Sequence, residues 1–211
     1  MGRFDLVIFD CDGVLVDSER LAVDLEASII TALGWPITSA EVIERFVGRT
    51  EAYMQAEVEA RIARPVDWEF EFERRYREVF DTQLRAVPGV VTLLSSIGVP
   101  VCVASNSTRE TLAYKLELAG LAAFFADAAF SADQVAHPKP APDLYEFAAK
   151  AMGADASRCA VIEDSPSGID AGLAAGMAVF AYDTKMADRA RLVRPGVVIF
   201  DAMDELEELL R

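Results

Sequence analysis

The sequence predicts an α/β fold, in which a parallel sheet is covered by helices on both faces and the chain is interrupted by an all-helical insertion. Short apolar runs alternate with helical patterns from residue 85 to the C-terminus, which is typical of parallel sheets. A similar apolar run, Leu6–Phe9, stands alone near the N-terminus. Residues 16–84 lie between the two parts and show helical periodicity without a strand pattern. We therefore predict a core domain of residues 1–15 and 85–211 and an inserted cap domain of residues 16–84.

Six apolar runs are predicted to form the strands of the core. They occupy residues 6–9, 100–104, 128–130, 159–162, 177–181 and 197–200. The first is apolar throughout, as expected of a strand buried on both faces. Helical patterns follow the later runs, and glycines at Gly120 and Gly153 are suitable ends for two of these helices. The core is therefore expected to have three layers, with the sheet in the middle.

The insertion is predicted to contain four helices. They cover residues 18–33, 38–46, 53–62 and 68–84, and apolar residues recur in each at helical spacing. Ser18 and Thr38 are suitable residues to cap the first two. Gly34 and Pro36 end the first helix, and Pro65 stops the third.

The composition narrows the class of function. The formal net charge of −15 disfavours nucleic acid and anionic membranes as partners. No apolar run reaches the roughly 18–20 residues that span a bilayer, and the N-terminus leaves no room for a signal peptide. The three cysteines, Cys11, Cys102 and Cys159, are far apart, which indicates a reducing compartment better than it indicates a disulfide or a zinc site. We expect a cytoplasmic protein, whose protein partners and oligomeric state the sequence leaves open.

Polar side chains follow four of the predicted strands at their carboxyl ends, which is where open α/β sheets bind ligands. The four groups are Asp10 with Asp12, Ser105-Asn106-Ser107, Lys139, and Glu163 with Asp164. Carboxylates are ligands for a hard divalent cation such as Mg²⁺. Hydroxyl, amide and ammonium groups bind phosphate oxygens. Together these groups predict a site for a metal and a phosphate.

Each group taken alone also has a structural interpretation. Ser105-Asn106-Ser107 is a plausible helix cap, and Glu163-Asp164 is a plausible acidic first turn of a helix. Lys139 would be an ordinary surface lysine, although the prolines on both sides stiffen its loop. Asp17 is expected to fix the hinge into the insertion, and His137, the only histidine, is expected to have no partner and no chemical role. The occurrence of all four groups at strand ends favours a functional site.

Four segments of the chain resemble the motifs of the haloacid dehalogenase superfamily, in the order of that family. They are FDCDGVLVDS, ASNS, KPAPD and IEDSPSGIDAGLAAG. The resemblance covers nearly the whole chain and is strongest to the phosphatases grouped around β-phosphoglucomutase, which carry a helical cap after the first motif. It implies a Rossmann-like core with strand order 5-4-1-2-3. The dehalogenases of the superfamily lack an acid at the position of Asp12 and need no metal.

The resemblance also implies an activity, the Mg²⁺-dependent hydrolysis of a small organic phosphate ester, with a sugar phosphate as the expected substrate. Asp10 would be the nucleophile that forms an aspartyl-phosphate, and Asp12 would be the general acid and base. Ser105, Asn106 and Lys139 would form the phosphate site. The implied metal site consists of Asp10, the backbone carbonyl of Asp12 and Asp164, with Glu163 in support.

Three alternatives stay open at this point. A β-phosphoglucomutase-like mutase shares all four motifs, although the histidine that those mutases carry ten residues after the general acid/base is replaced here by Ala22. A signalling receiver would also accept a phosphoryl group on an aspartate, but it would have no helical insertion. A catalytically silent binding protein is the third. Candidates for selecting the leaving group are Arg49, Thr50, Arg74, Arg75, Arg77, Ser107 and Arg109.

Overall fold

A computed structural model describes residues 3–47, 51–186 and 188–211, and its centre is a six-stranded parallel sheet. The strands are β1 (Leu6–Phe9), β2 (Val101–Ser105), β3 (Ala129–Ser131), β4 (Cys159–Glu163), β5 (Ala178–Tyr182) and β6 (Val198–Phe200). Their order across the sheet is β3-β2-β1-β4-β5-β6. This confirms the predicted order of the first five strands and adds the sixth at the edge beside β5.

Strand β1 lies in the middle of the sheet, and its position organises the site. Val7 is in register with Val101 of β2 on one side and with Ala160 of β4 on the other. All four residues of β1 are buried, as its continuous apolar sequence predicts. Because the strands are parallel, the residues that follow β1 lie between those that follow β2 and those that follow β4.

The chain divides into two compact units, one of Met1–Asp17 with Arg85–Arg211 and the other of Ser18–Leu84. The second unit begins two residues after the predicted insertion of residues 16–84. The difference has a physical reason within the first unit. Val16 forms an antiparallel bridge with Ala86, and the Asp17 amide donates a hydrogen bond to the Arg85 carbonyl at 3.0 Å. Both residues therefore belong to the extended segment that leaves the core.

The regular secondary structure that the structure describes in the second unit is all helical. Its elements are α1 (Ser18–Ala32), α2 (Ser39–Phe46), α3 (Glu51–Ile62), a π-helical turn (Glu69–Glu73) and α4 (Arg74–Gln83). Thr38 caps α2 as predicted, in a reciprocal capping box with Glu41. The single fourth helix predicted from Trp68 to Leu84 is wrong in one respect, since its first part is π-helical. Apolar spacing does not distinguish one widened turn from a regular α-helix.

The remaining helices flank the sheet of the first unit. They are α5 (Val90–Ser96), α6 (Arg109–Leu118), α7 (Ala122–Phe125), α8 (Asp143–Ala151), α9 (Pro166–Ala174) and α10 (Met203–Leu209). Helix α7 was not predicted because four residues are too few to show a period. The cysteines are buried and free, as expected. Across the described ranges, no helix is long and apolar enough to cross a membrane.

Candidate active site

Asp10 follows β1 directly and meets Lys139, which lies in the loop between β3 and α8. Lys139 Nζ donates a hydrogen bond to Asp10 Oδ1 at 2.5 Å, and both residues are buried. Burial raises the pKa of Asp10 to about 7, although the charge of Lys139 acts in the opposite direction. The nearby carboxylates of Glu163 and Asp12 raise it further. The structure thus places the predicted nucleophile against an ammonium group in a site with little access to water.

Glu163 is the last residue of β4, lies next to Lys139 and is fully buried. Its Oε1 accepts a hydrogen bond from Lys139 Nζ at 2.8 Å. Its Oε2 accepts three, from the amide of Asp164 and from the amide and hydroxyl of Ser165, at 3.0, 3.0 and 2.9 Å. Burial raises the pKa of Glu163, but Lys139 and these donors outweigh burial and hold it below its ordinary value. Glu163 is therefore an ionised support for Lys139 and for the start of the loop after β4.

Tyr145 completes the buried network, and the sequence analysis missed it. Its hydroxyl donates to Glu163 Oε1 at 2.8 Å, and Lys139 Nζ lies 4.6 Å from the centre of its ring. Burial raises the pKa of this phenol well above its ordinary value, so the hydroxyl keeps its proton. Tyr145 lies on the buried face of α8 beside Leu144 and Ala148. A hydroxyl on such an apolar face needs a buried partner, and this pattern is the signal by which the sequence could have indicated Tyr145.

The residues after β2 approach the same loop. Ser105 is buried, and its Oγ accepts a hydrogen bond from the Ser107 amide at 3.1 Å. The side chain of Asn106 makes two hydrogen bonds with the backbone of Lys139, donating to its carbonyl and accepting from its amide, both at 3.0 Å. Asn106 therefore fixes the backbone that carries the Lys139 side chain.

Asp12 has different partners from Asp10. Its Oδ1 accepts a hydrogen bond from Lys115 Nζ at 2.5 Å, and its Oδ2 accepts one from Ser107 Oγ at 3.3 Å. Lys115 lies on α6 and is buried together with Leu112 and Leu116. The sequence analysis missed Lys115 as well, although a lysine within an apolar stripe at helical spacing is an unusual residue that calls for a buried partner.

Asp164 comes close to the loop that holds the first two aspartates. A Cβ atom added to Gly13 would lie 1.9 Å from Asp164 Oδ2, so a side chain at this position would displace the carboxylate. Gly13 also has a φ of +74°, which side chains rarely adopt. A similar restriction holds in α9, where a Cβ on Gly168 would lie 1.6 Å from Glu163 Oε1. The two glycines allow the acidic groups after β4 to pack against backbone.

The donor chemistry of this region fits the Mg²⁺ ion that the resemblance implies. Within the described part of the chain, no group of three or more histidine, cysteine, aspartate or glutamate side chains is arranged to hold a metal. The implied site needs only two side chains, Asp10 and Asp164, because its third ligand is the backbone carbonyl of Asp12. The contact of Asp164 with Gly13 brings one of these carboxylates to the loop that carries the other. Oxygen ligands of this kind suit Mg²⁺.

The other candidates from the sequence lie elsewhere or have other partners. Arg49 and Thr50 fall outside the described residues. Arg74 and Arg75 belong to the second unit, where Arg75 pairs with Glu71 at 3.1 Å. The expectation that His137 has no partner is wrong, since its Nδ1 lies 3.0 Å from Asp143 Oδ2 on the surface. Arg77 lies in α4 of the second unit, and the backbone amide of Arg109 donates a hydrogen bond to Asp133 Oδ2 at 2.8 Å.

The fold and these residues define an α/β protein with a candidate site at the carboxyl edge of its parallel sheet. Carboxylates and lysines form an acid–lysine network there, whose members are Asp10, Asp12, Glu163, Asp164, Lys115 and Lys139. The sequence of residues 4–176 matches the family of haloacid dehalogenase-like hydrolases. The chain therefore belongs to the haloacid dehalogenase-like hydrolase family, as the four motifs predicted.

Relatives with known names extend this result. The chain is 32% identical to 6-phosphogluconate phosphatase of Escherichia coli (strain K12), with 99% of this chain and 96% of that protein covered. It is 31% identical to hexitol phosphatase A of the same organism, with 91% and 88% covered. Among solved structures, a haloacid dehalogenase-like protein from Agrobacterium tumefaciens is similar with a TM-score of 0.88 at 34% identity, covering 98% of this chain and 97% of that one. Phosphatases are thus among the relatives of nearly full length.

Proposed function

We propose that this protein is an Mg²⁺-dependent phosphatase that hydrolyses a small organic phosphate monoester through an aspartyl-phosphate on Asp10. The observation that carries the proposal is the contact between the buried Asp10 carboxylate and the Lys139 ammonium. An anionic nucleophile must approach an anionic phosphate, and a lysine beside it lowers the electrostatic barrier to that approach. Glu163 accepts a hydrogen bond from the ammonium group of this lysine, and the ring of Tyr145 lies beside it. Asn106 binds the backbone of the lysine.

The first half of the reaction forms the covalent intermediate. An Asp10 carboxylate oxygen attacks phosphorus in line with the ester oxygen, and the bond between phosphorus and that oxygen breaks. Asp12 gives its proton to the departing alkoxide. Lys139 and the Ser105 hydroxyl bind oxygens of the transferring phosphoryl group.

The second half returns the enzyme to its starting state. A water molecule attacks the phosphorus of the aspartyl-phosphate while Asp12 takes one of its protons. The bond to Asp10 breaks, its electrons return to the carboxylate, and inorganic phosphate leaves. One carboxyl group thus serves as acid and then as base, and each turnover restores its proton.

We further propose that Asp10, the Asp12 carbonyl and Asp164 hold the Mg²⁺ ion, with Glu163 in support. The bound ion supplies positive charge that neutralises phosphate oxygens. Glu163 already accepts hydrogen bonds on both oxygens, from Lys139, Tyr145, Asp164 and Ser165, which fits a supporting role better than direct ligation.

The substrate that we propose is a phosphorylated sugar or sugar acid in the cytoplasm, because two relatives of nearly full length are named for 6-phosphogluconate and hexitol phosphates. We propose that the helical unit of Ser18–Leu84 acts as a cap domain that selects the leaving group. Nucleic acid and membranes are not proposed as partners of a chain with a net charge of −15.

Hydrolysis is proposed in preference to mutase activity because Ala22 offers no hydrogen-bonding side chain. A mutase must keep water from its aspartyl-phosphate until a sugar hydroxyl returns, and the histidine that assists in the mutases is missing here. A receiver is disfavoured for a different reason. It must keep its phosphoryl group for a long time, and a base such as Asp12 would speed hydrolysis of that group.

The proposal is tested by measuring inorganic phosphate released from a panel of phosphate esters that includes 6-phosphogluconate and hexitol phosphates. We expect Mg²⁺-dependent release by the wild type and none by Asp10→Asn. The mutase alternative is tested with β-glucose 1-phosphate and a trace of the 1,6-bisphosphate, followed by ³¹P NMR. Glucose 6-phosphate that accumulates faster than inorganic phosphate would favour the mutase, and inertness toward the whole panel would favour a silent binding protein.

A further inference from the structure

The contact between Lys115 and Asp12 assigns a function to a residue outside the four motifs. We propose that Lys115, together with Ser107, is a positioning residue that holds Asp12 as the base of the second half-reaction. This inference rests on the proposed phosphatase function and adds a residue to it. It predicts that Lys115 matters more for the breakdown of the aspartyl-phosphate than for its formation.

The geometry shows a carboxylate held at both oxygens. Lys115 Nζ donates to Asp12 Oδ1 at 2.5 Å, and the hydroxyl of Ser107 donates to Asp12 Oδ2 at 3.3 Å. Lys115 Nζ also lies 3.4 Å from Ser107 Oγ, so the three side chains form a closed triangle. Ser107, in the loop between β2 and α6, and Lys115, on α6, therefore restrict the rotation of the Asp12 side chain, which comes from the loop after β1.

The placement of Lys115 is costly without a charged partner. Its side chain is only 11% exposed, whereas the side chain of Asp12 is 31% exposed and thus reaches water. A buried ammonium group is unfavourable unless a carboxylate compensates its charge. Lys115 is therefore the more buried member of the ion pair, and Asp12 is the more exposed one. The exposed side of Asp12 keeps access to the solvent from which the attacking water comes.

The hydrogen bonds match one of the two tasks of Asp12 directly. Both of its carboxylate oxygens act as acceptors, which is the form that takes a proton from water. In the second half-reaction, the water oxygen bonds to phosphorus, one water proton moves to Asp12, and the phosphorus–oxygen bond to Asp10 breaks with its electrons returning to Asp10. A base held in one orientation accepts that proton with less loss of rotational freedom than a mobile one.

An activated substrate separates this task from the other one. With p-nitrophenyl phosphate, the leaving group is stable as an anion, so formation of the aspartyl-phosphate needs no proton from Asp12. The breakdown step needs a base whatever the substrate was. A defect in the positioning of Asp12 therefore lowers kcat with this substrate, while kcat/KM, which reports the steps up to the covalent intermediate, stays the same.

The experiment compares Lys115→Met with the wild type and with Lys150→Met, a substitution at an exposed lysine of α8. We expect Lys115→Met to lower kcat for p-nitrophenyl phosphate by roughly 10- to 100-fold, because the base is misplaced and not removed, and removal would cost roughly 100- to 10,000-fold. We expect kcat/KM to change by less than about threefold. Stopped-flow mixing should show a burst of about one p-nitrophenolate per enzyme, because the intermediate now accumulates. Lys150→Met should match the wild type.

A purely structural role for Lys115 gives a different result. In that case kcat and kcat/KM fall together without a burst, and this outcome overturns the inference, as does an unchanged kcat. In an Asp12→Ala background, Lys115→Met should have no further effect on kcat, and an independent loss would also overturn it. If Lys115→Met does not fold, Ser107→Ala decides by the same separation of constants. A wild type that is inactive on every ester overturns the proposed function and this inference together, whereas an active wild type whose variants show no separation overturns the inference alone.

Discussion

The replacement of Asp10 by asparagine is predicted to stabilise the metal-free protein while it abolishes turnover. Burial raises the pKa of Asp10 from 3.8 to about 7, in spite of its contact with Lys139. One pKa unit corresponds to about 1.4 kcal/mol, so the ionised carboxylate lowers the free energy of unfolding by at most about 4 kcal/mol. Because Asp10 and Glu163 share Lys139, we expect the measured gain for Asp10→Asn to lie at about 1–4 kcal/mol.

The sign of the effect follows from proton binding. A carboxyl group whose pKa is raised on folding binds more protons in the folded state than in the unfolded state. The wild type therefore loses stability as the pH rises from about 4 to about 7, which is the interval between the two pKa values of Asp10. Asparagine does not ionise, so its advantage should be complete above about pH 7 and absent below about pH 4.

The assay is urea unfolding at pH 8 and at pH 4 with a chelator present. Asp127→Asn, at an exposed aspartate, serves as the matched control and should leave the free energy of unfolding unchanged at both pH values. A variant Asp10→Asn that is no more stable than the wild type at pH 8 would refute the argument that burial dominates at this carboxylate. Turnover above about one per cent of the wild-type rate would separately contradict the assignment of Asp10 as the nucleophile.

Three further predictions concern Glu163, the proposed metal and Asp164. Glu163→Gln should lower the free energy of unfolding by about 3–5 kcal/mol in urea, because either orientation of the amide turns an NH₂ group toward Lys139 or toward the amides of Asp164 and Ser165. Glu146→Gln on the exposed side of α8 is its control, and a loss below about 1 kcal/mol would contradict the role given to Glu163. Exhaustive chelation should abolish turnover, and added Mg²⁺ should restore it. Activity that survives chelation would rule out the metal site. Asp164→Ala should raise the Mg²⁺ concentration needed for the half-maximal rate about 10-fold or more.

The fold was predictable because its strands have a clear sequence pattern. Each apolar run is short and bounded by turn residues, so the six strands of the sheet are found within one or two residues of their predicted positions. Among the elements that the pattern missed are two without a measurable period, the four-residue helix α7 and the π-helical turn Glu69–Glu73. A period cannot be recognised in an element of only one or two turns.

The sequence predicted the residues of the candidate site that follow strands, but not those that lie on helices. Asp10 and Lys139 could be placed together because each follows a strand of a parallel sheet, and the carboxyl ends of such strands meet at one edge. Lys115 and Tyr145 come from the interior faces of helices, where the sequence shows a polar residue among apolar ones but not its partner. Lys115 is 103 residues from Asp12 in the chain, and Tyr145 is 18 residues from Glu163. Only the packing of α6 and α8 on the sheet decides these pairings.

The charges of the site explain why an acidic protein would select a phosphate ester only together with a cation. The network contains four carboxylates and two ammonium groups, so with all six ionised it carries two excess negative charges. Its members are Asp10, Asp12, Glu163, Asp164, Lys115 and Lys139. A phosphate monoester would bring up to two more negative charges next to the buried carboxylates of Asp10 and Glu163, where burial strengthens their repulsion. A divalent cation would offset the excess. In the proposed mechanism, Lys139 lies beside the nucleophile Asp10 and Lys115 lies beside the general base Asp12.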